Sequence, residues 1–302
     1  MAAARVFLPA ALACCLLLNG CGGQQAESSG KAMRSDRLVD FSLKPPYVNA
    51  LDIDPASQEF LLTTNRGFWR IDSRTDSVKR VTGEVSTRGK TATVGTFLEL
   101  LATGPGRMIG SGHPDRPGTL PSFLGFIESD DGGRHWRVIS RLGEADLHKI
   151  VMRHDRIYAF DAVLGALLIT RDGGRTFTER FTPPELIIDF EVDPRDPDYI
   201  LASSAERLYR SEDGGKRWRA IATGEGIRLA WPAPGALYRA DKDGAIQRSR
   251  DRGATWQPAG RVKGEPYKFK ATGPDRLFLA LSDGAIAGTS DGGRSWKLVF
   301  TP

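Results

Sequence analysis

The chain has 302 residues, 40% hydrophobic and 26% charged, with a formal net charge of +5. This composition supports an ordinary folded domain with ample core and excludes a fibrous or disordered chain. The basic residues alternate along the chain without forming a stripe interleaved with aromatics, so nucleic acid is not an expected partner.

In chain order, Arg5 opens an apolar run from Val6 to Leu18, too short for a stable membrane span and suited to a signal segment. The run ends in Leu18-Asn19-Gly20-Cys21, which resembles a bacterial lipobox, with Asn19 an unusual occupant of its place. The resemblance implies cleavage before Cys21, diacylglycerol on its thiol and an acyl chain on its amine, and several chains on one residue give stable anchoring. An ordinary secretory signal is the alternative. Residues 1–20 thus read as a lipoprotein signal peptide, and 21–36 as a lipidated cysteine and flexible tether rich in Ser and Gly. Cys14 and Cys15 leave with the signal, so the mature fold keeps no cysteine for a disulfide, a thiolate nucleophile or a thiolate metal site. The expected location is outside the cytoplasm, tethered to a bacterial membrane. Gly22 lacks the acidic character that retains lipoproteins at the inner membrane of Gram-negative envelopes.

From Leu51 the chain turns strand-like. Leu51 to Pro55, Phe60 to Thr63 and Gly67 to Ile71 match three strands of a repeating unit, with Ser73-Arg74-Thr75-Asp76 in place of a later turn. That later turn recurs five times. It reads Ser129-Asp130-Asp131-Gly132-Gly133-Arg134-His135-Trp136, and then centres on Asp172, Asp213, Asp251 and Asp291. The intervals are 172−131 = 41, 213−172 = 41, 251−213 = 38 and 291−251 = 40 residues. A period near 40 with strand-like flanks predicts the blades of a β-propeller. One degenerate and five intact units predict six four-stranded antiparallel blades over 37–302, with Arg37 to Leu43 placed to pair with the last blade and close the ring.

The residue types have a physical reason. The glycine at the fifth position supplies the left-handed backbone of a tight turn, and the aspartate accepts the turn's own N–H groups. The aromatic residue that follows buries a large ring. Five copies argue that these aspartates hold the fold. The turn resembles the Asp-box, or BNR, repeat of sialidase-like propellers, over Asn49 to Phe300. What the resemblance implies is a fold, because such turns occur in glycosidases, in sorting receptors and in assembly factors that catalyse nothing.

In a four-stranded blade these turns lie on one face, and the strand-two/three loops and blade connections lie on the other. Ligands of such propellers usually meet the second face. There the loop from Ser111 to Pro121 is longer than its counterparts and carries His113 and Asp115; the next connection carries Asp146 and His148, and the next loop opens with Asp161. These five residues are the predicted ligand-binding rim. The surrounding Gly-Ser-Gly-His-Pro-Asp and Gly-Glu-Ala-Asp-Leu-His stretches look like those of bacterial Asp-box lipoproteins labelled glycosylhydrolase-like, a group without an established reaction. Three chemistries suit them. The imidazoles and carboxylates suit Zn or Mn, although their spacing is not a compact ligand motif. Paired carboxylates among Asp115, Asp146 and Asp161 suit glycoside hydrolysis. Otherwise the acids form turns and the histidines bond to neighbouring carbonyls. A true sialidase is disfavoured, because Arg-Ile-Pro is missing and Arg66 and Arg228 do not make up its arginine triad. His154 and Asp155 fall on the wrong face, and Trp231, Tyr267 and Lys268 fall where they can line the axis. The expectation is a monomeric, lipid-anchored propeller that binds a glycan or an envelope protein without turnover and without a metal or other cofactor. The alternatives are a glycoside hydrolase and an envelope-protein assembly factor.

Overall fold

A computed structural model describes residues 47–224 and 226–302. The expected signal peptide, Cys21, the tether and the closing strand at 37–43 lie outside the described residues. The fold is all-β. Val48–Ile53 (β1), Phe60–Thr64 (β2), Gly67–Asp72 (β3) and Ser77–Val81 (β4) form the first blade, antiparallel and in chain order. Glu84–Thr87 (β5), Lys90–Gly104 (β6), Arg107–Pro114 (β7), Phe126–Ser129 (β8) and His135–Ser140 (β9) follow. Leu147–Arg153 (β10), Arg156–Asp161 (β11), Ala166–Thr170 (β12) and Thr178–Phe181 (β13) make the second blade. Asp189–Val192 (β14), Ile200–Ser203 (β15), Arg207–Ser211 (β16) and Arg219–Thr223 (β17) make the third. The fourth comprises Arg228–Ala233 (β18), Ala236–Ala240 (β19), Ala245–Ser249 (β20) and Gln257–Arg261 (β21). Pro266–Ala271 (β22), Leu277–Leu281 (β23), Ile286–Thr289 (β24) and Lys297–Phe300 (β25) make the fifth.

The expectation of six like blades is corrected here. Five are four-stranded sheets, and the sector between the first and second blades is a five-stranded unit closed on itself. An extra strand, β5, causes the closure. It pairs antiparallel with β6 and runs parallel beside β9, Val85 opposite Trp136. β6 is long enough to serve both hairpins, and it bends through bulges at Val94/Thr96 and Phe97/Glu99. Gly83 permits the approach, since a Cβ there would stand 2.9 Å from Trp136 Nε1.

The innermost strands β1, β6, β10, β14, β18 and β22 each touch the next, and β22 touches β1. Among the described residues the ring closes by side-chain packing: Leu51, Phe60 and Leu62 of the first blade share a core with Phe278, Ala280 and Ile286 of the fifth. The Phe60 and Phe278 rings meet edge to face at 5.1 Å, an arrangement that suits the aromatic quadrupole.

All five Ser/Thr-x-Asp turns share one bonding scheme. At Asp172 the Thr170 hydroxyl and the Thr176 N–H donate to Oδ1 (2.7 and 3.1 Å), while the Gly174 N–H donates to the Thr170 hydroxyl (3.2 Å). Equivalent bonds join Asp131, Asp213, Asp251 and Asp291 to their turns. The Arg217 N–H holds the Asp213 carboxyl at about 2, and the Thr255 hydroxyl does the same for Asp251. A carboxylate so fully engaged is a structural acceptor.

Candidate functional site

Strands alternate direction within each blade, so the Asp turns lie at one end of the ring and the loops after second strands lie at the other with the blade connections. The predicted rim is at this connection end. Four of its five residues come together. Asp146 sits between two imidazoles, His148 Nε2 at 3.1 Å from Oδ2 and His113 Nε2 at 3.6 Å from Oδ1. The other His113 nitrogen, Nδ1, is 2.7 Å from the Ser122 carbonyl oxygen, which fixes the ring. The Asp146 N–H donates to Asp161 Oδ1 at 3.1 Å, and the Val163 N–H donates to the same oxygen at 3.0 Å. Asp161 is fully buried, and burial pushes its carboxyl up, the Asp146 charge adding to the effect. Asp146 Oδ1 and Asp161 Oδ2 are buried and accept no hydrogen bond.

Asp115 does not join them. Its N–H donates to the Thr93 carbonyl (2.9 Å) and its backbone lies over Gly95, where a Cβ would stand 2.6 Å from Asp115 Cα. The β6–β7 pairing therefore extends to Asp115 and leaves its side chain exposed on the outside of the hairpin. Among the described residues no group of three or more His, Cys, Asp and Glu side chains is placed to hold a metal ion.

Beside the rim, the connection end of the second blade carries exposed apolar side chains. Val163 and Leu164 are in the β11–β12 loop, Phe181 closes β13 and Leu186 lies in the connection to β14; they are 51%, 49%, 83% and 60% exposed. Composition cannot reveal these exposed positions, because exposure depends on which loops and edges the fold leaves uncovered.

Of the charges on the axis, sequence reasoning singled out only Lys268 and missed the ion pairs around it. Lys149 Nζ bonds Asp189 Oδ1 at 2.8 Å, and Lys270 Nζ bonds Asp52 Oδ1 at 2.6 Å. The free oxygen of each aspartate reaches the following sector's backbone, accepting the Leu229 N–H (2.9 Å) and the Ala102 N–H (2.8 Å). Each unit thus links three successive inner strands. Burial raises the Glu99 and Glu191 carboxyls and lowers the Lys268 ammonium. The signal was present in Asp189-Phe190-Glu191 and Lys268-Phe269-Lys270, where charges at a spacing of two on first strands all face the axis. The cavity at the turn end of the axis, lined by Asp52, Glu99, Lys149, Glu191, Trp231 and Lys270, has a volume of about 120 Å³. Tyr267 lends its carbonyl to Arg228 Nε at 2.7 Å. His154 lies at the turn end, its Nε2 2.7 Å from the Asp193 carbonyl oxygen.

No family model matches the chain, and no curated protein matches it. Solved structures do. YCF48 bound to D1 peptide is 13% identical, with 82% of this chain and 94% of that one aligned at a TM-score of 0.52. An ancestral GH74 enzyme is 13% identical over 84% of this chain and 39% of that one, at a TM-score of 0.55. The extracellular domain of the one-component system BT4673 from B. thetaiotaomicron is 11% identical over 81% of this chain and 33% of that one, at a TM-score of 0.54. The chain therefore spans well under half of the enzyme and of the extracellular domain. At such identities the likeness is one of fold, and the fold is that of a β-propeller.

Proposed function

We propose that this chain is an extracytoplasmic propeller, lipid-anchored through Cys21 and built on Asp-box turns, that docks an envelope protein on its connection end without turnover. The observation that carries the reading is the exposure of four large apolar side chains, Val163, Leu164 and Phe181 on the second blade and Leu186 in its connection to the third, at the end of the ring that also carries the polar rim of His113, Asp146 and His148. Apolar side chains exposed at one end of a soluble fold, with polar groups at the same end, have the anatomy of a protein contact. The axial cavity adds to this argument. At about 120 Å³ it is smaller than the roughly 300–1,000 Å³ typical of small-molecule pockets. YCF48, solved with a peptide bound, is a propeller of similar fold that accepts protein, which supports the same class of ligand here.

The rim chemistry weighs against hydrolysis of a glycan. Hydrolysis needs two carboxyl groups on either side of the scissile bond. Asp161 is fully buried and its Oδ1 is taken by the Asp146 and Val163 N–H groups, while the Asp146 carboxyl faces the His113 and His148 imidazoles, so neither acid is presented as an open, solvent-facing partner for a scissile bond.

The test places a photo-crosslinking side chain at Leu186 in the full-length protein in its native envelope, with Leu298, equally exposed at 60% on the fifth blade, as the comparison site. A discrete protein adduct from position 186 and none from 298 is the expected result. No adduct at 186, or cleavage of β-glucan or xyloglucan by the purified protein, would overturn the reading.

A further inference from the structure

A separate site lies between the third and fourth blades. A cavity of about 500 Å³ opens at the connection end, lined by Thr223, Ile227, Arg239, Asp241, Asp243 and Gln247. That volume is in the range that holds small molecules.

Arg239 is its unusual feature. Nε donates to Gln247 Oε1 at 2.5 Å, and the guanidinium lies over the Trp256 ring, with Cζ 4.6 Å from the centroid. Arg239 Nη1 and Trp256 Nε1 are both buried and have no hydrogen-bond partner. The nearby Asp241 acts on Arg239 through its charge but is not a hydrogen-bond partner of Nη1; its Oδ1 accepts the N–H groups of Asp243 and Ala245 (3.0 and 2.9 Å). A guanidinium is always charged, and removing it from water with donors unused is unfavourable unless an anion completes it. Gln247 occupies Nε and Trp256 covers one face, which leaves the planar Nη edge.

The acceptor that matches this edge is a carboxylate, whose two oxygens fit two parallel N–H bonds. Its charge is limited because Asp241 and Asp243 on the lining balance Arg239 and Lys242, which leaves no net positive charge to favour a dianion such as phosphate over a single carboxylate. We propose that this cavity binds a small monocarboxylate, its carboxylate on the Arg239 fork and its polar body against Thr223 and Gln247.

The test uses full-length protein carrying 15N-tryptophan, with the Trp256 indole N–H signal as reporter. Acetate, D-galacturonate, D-galactose and inorganic phosphate are the probes. Saturable shifts with both carboxylates, tighter for galacturonate because its hydroxyls use the cavity, are the expected result. Arg239→Gln abolishes them. Arg239→Lys, which keeps the charge but not the fork, weakens them. Asp243→Asn, which removes a neighbouring negative charge from an exposed side chain, tightens carboxylate binding by roughly two- to fivefold. The proposal is overturned if neither carboxylate shifts the signal, if galactose or phosphate does so equally, or if the shifts persist in folded Arg239→Gln protein.

Discussion

The axial ion pairs make a quantitative demand on the fold, sharpest at Asp189→Ala. The Asp189 side chain is 5% exposed and accepts from Lys149 Nζ (2.8 Å), the Phe190 N–H (2.9 Å) and the Leu229 N–H (2.9 Å). Its removal strands an ammonium that is itself 14% exposed and orphans two backbone donors. Breaking a buried pair from one side costs about 3–5 kcal/mol. Glu191, 4.0 Å from Lys149 Nζ, softens this, so a loss of about 3–4 kcal/mol is expected. For a domain of this size that lowers Tm by roughly 6–15 °C. Lys149→Met also strips the cation from Asp189, Glu191 and Glu99, but Asp189 keeps both backbone donors, so a smaller loss of about 2–3 kcal/mol is expected. The double variant is therefore more stable than Asp189→Ala alone. Urea unfolding followed by tryptophan fluorescence measures all three. A double variant less stable than Asp189→Ala would refute the reasoning, as would equal single losses. The sign with pH also follows. Although burial acts to lower it, Asp189, Glu191 and Glu99 raise the Lys149 pKa above the ordinary lysine value. Its contribution is thus complete below about pH 10 and lost only as pH rises through the folded pKa.

Arg252 takes the place that glycine holds in the other four turns, at φ +64°, and it bonds Asp193 (2.6 Å) and Asp196 (2.8 Å) while lying over Tyr199. Arg252→Gly and Arg252→Ala both destabilise, and alanine does so by about 1 kcal/mol more, because only glycine relieves the left-handed backbone; equal losses in urea melts would contradict this. A Cβ at Gly174 would stand 2.2 Å from the buried Phe126 ring, while one at Gly165 meets nothing within 4 Å. Gly174→Ala should therefore cost more than about 3 kcal/mol and Gly165→Ala about 1 kcal/mol, which differential calorimetry separates. Asp213 and Asp251, held at about 2, contribute stability that is present above the ordinary carboxylate range and lost as pH falls through 2. Asp161 has the opposite sign. Its raised pKa contributes stability below the ordinary value that is lost as pH rises through the folded one, so Asp161→Asn should flatten the stability–pH curve above pH 4. An unchanged slope in that variant would count against the buried-acid account. Cys21→Ala should release the protein from the membrane fraction on centrifugation and abolish palmitate labelling.

The turns were legible because each is self-contained. Thr170, Asp172, Gly174 and Thr176 bond within seven residues, so their chemistry is visible in any window that spans them. The rim was legible in part for a related reason: loop length and connection order place His113, Asp146, His148 and Asp161 at one end of the ring. Asp115 was misplaced because where a hairpin ends depends on hydrogen-bond register, and Asp115 still pairs with Thr93. The closed unit escaped for the same kind of reason. Val85 reads as an ordinary residue before a strand, and only its pairing with Trp136, 51 residues on, shows β5 to be an added wall. The axial pairs and the Arg239 cavity join residues of different strands and blades, and no local pattern specifies such contacts.

In a ring of repeats, a departure from the repeat is informative because symmetry does not require it. Two departures stand side by side here: the closed unit β5–β9, and the second blade with its exposed apolar loops. They are joined at the connection end, where Leu147 N–H donates to Ser111 Oγ and His113 meets Asp146. The axis, by contrast, pairs Lys149 and Lys270 with aspartates that also hold the next sector's backbone. A ligand competing for those charges would have to disrupt the bonds that hold the inner strands together. The rim asks for no such exchange, since His148 and the four apolar side chains are already exposed. Recognition at the boundary of the two unusual sectors therefore leaves the ring intact, and it predicts that rim substitutions change docking with little change in stability, while axial substitutions do the reverse.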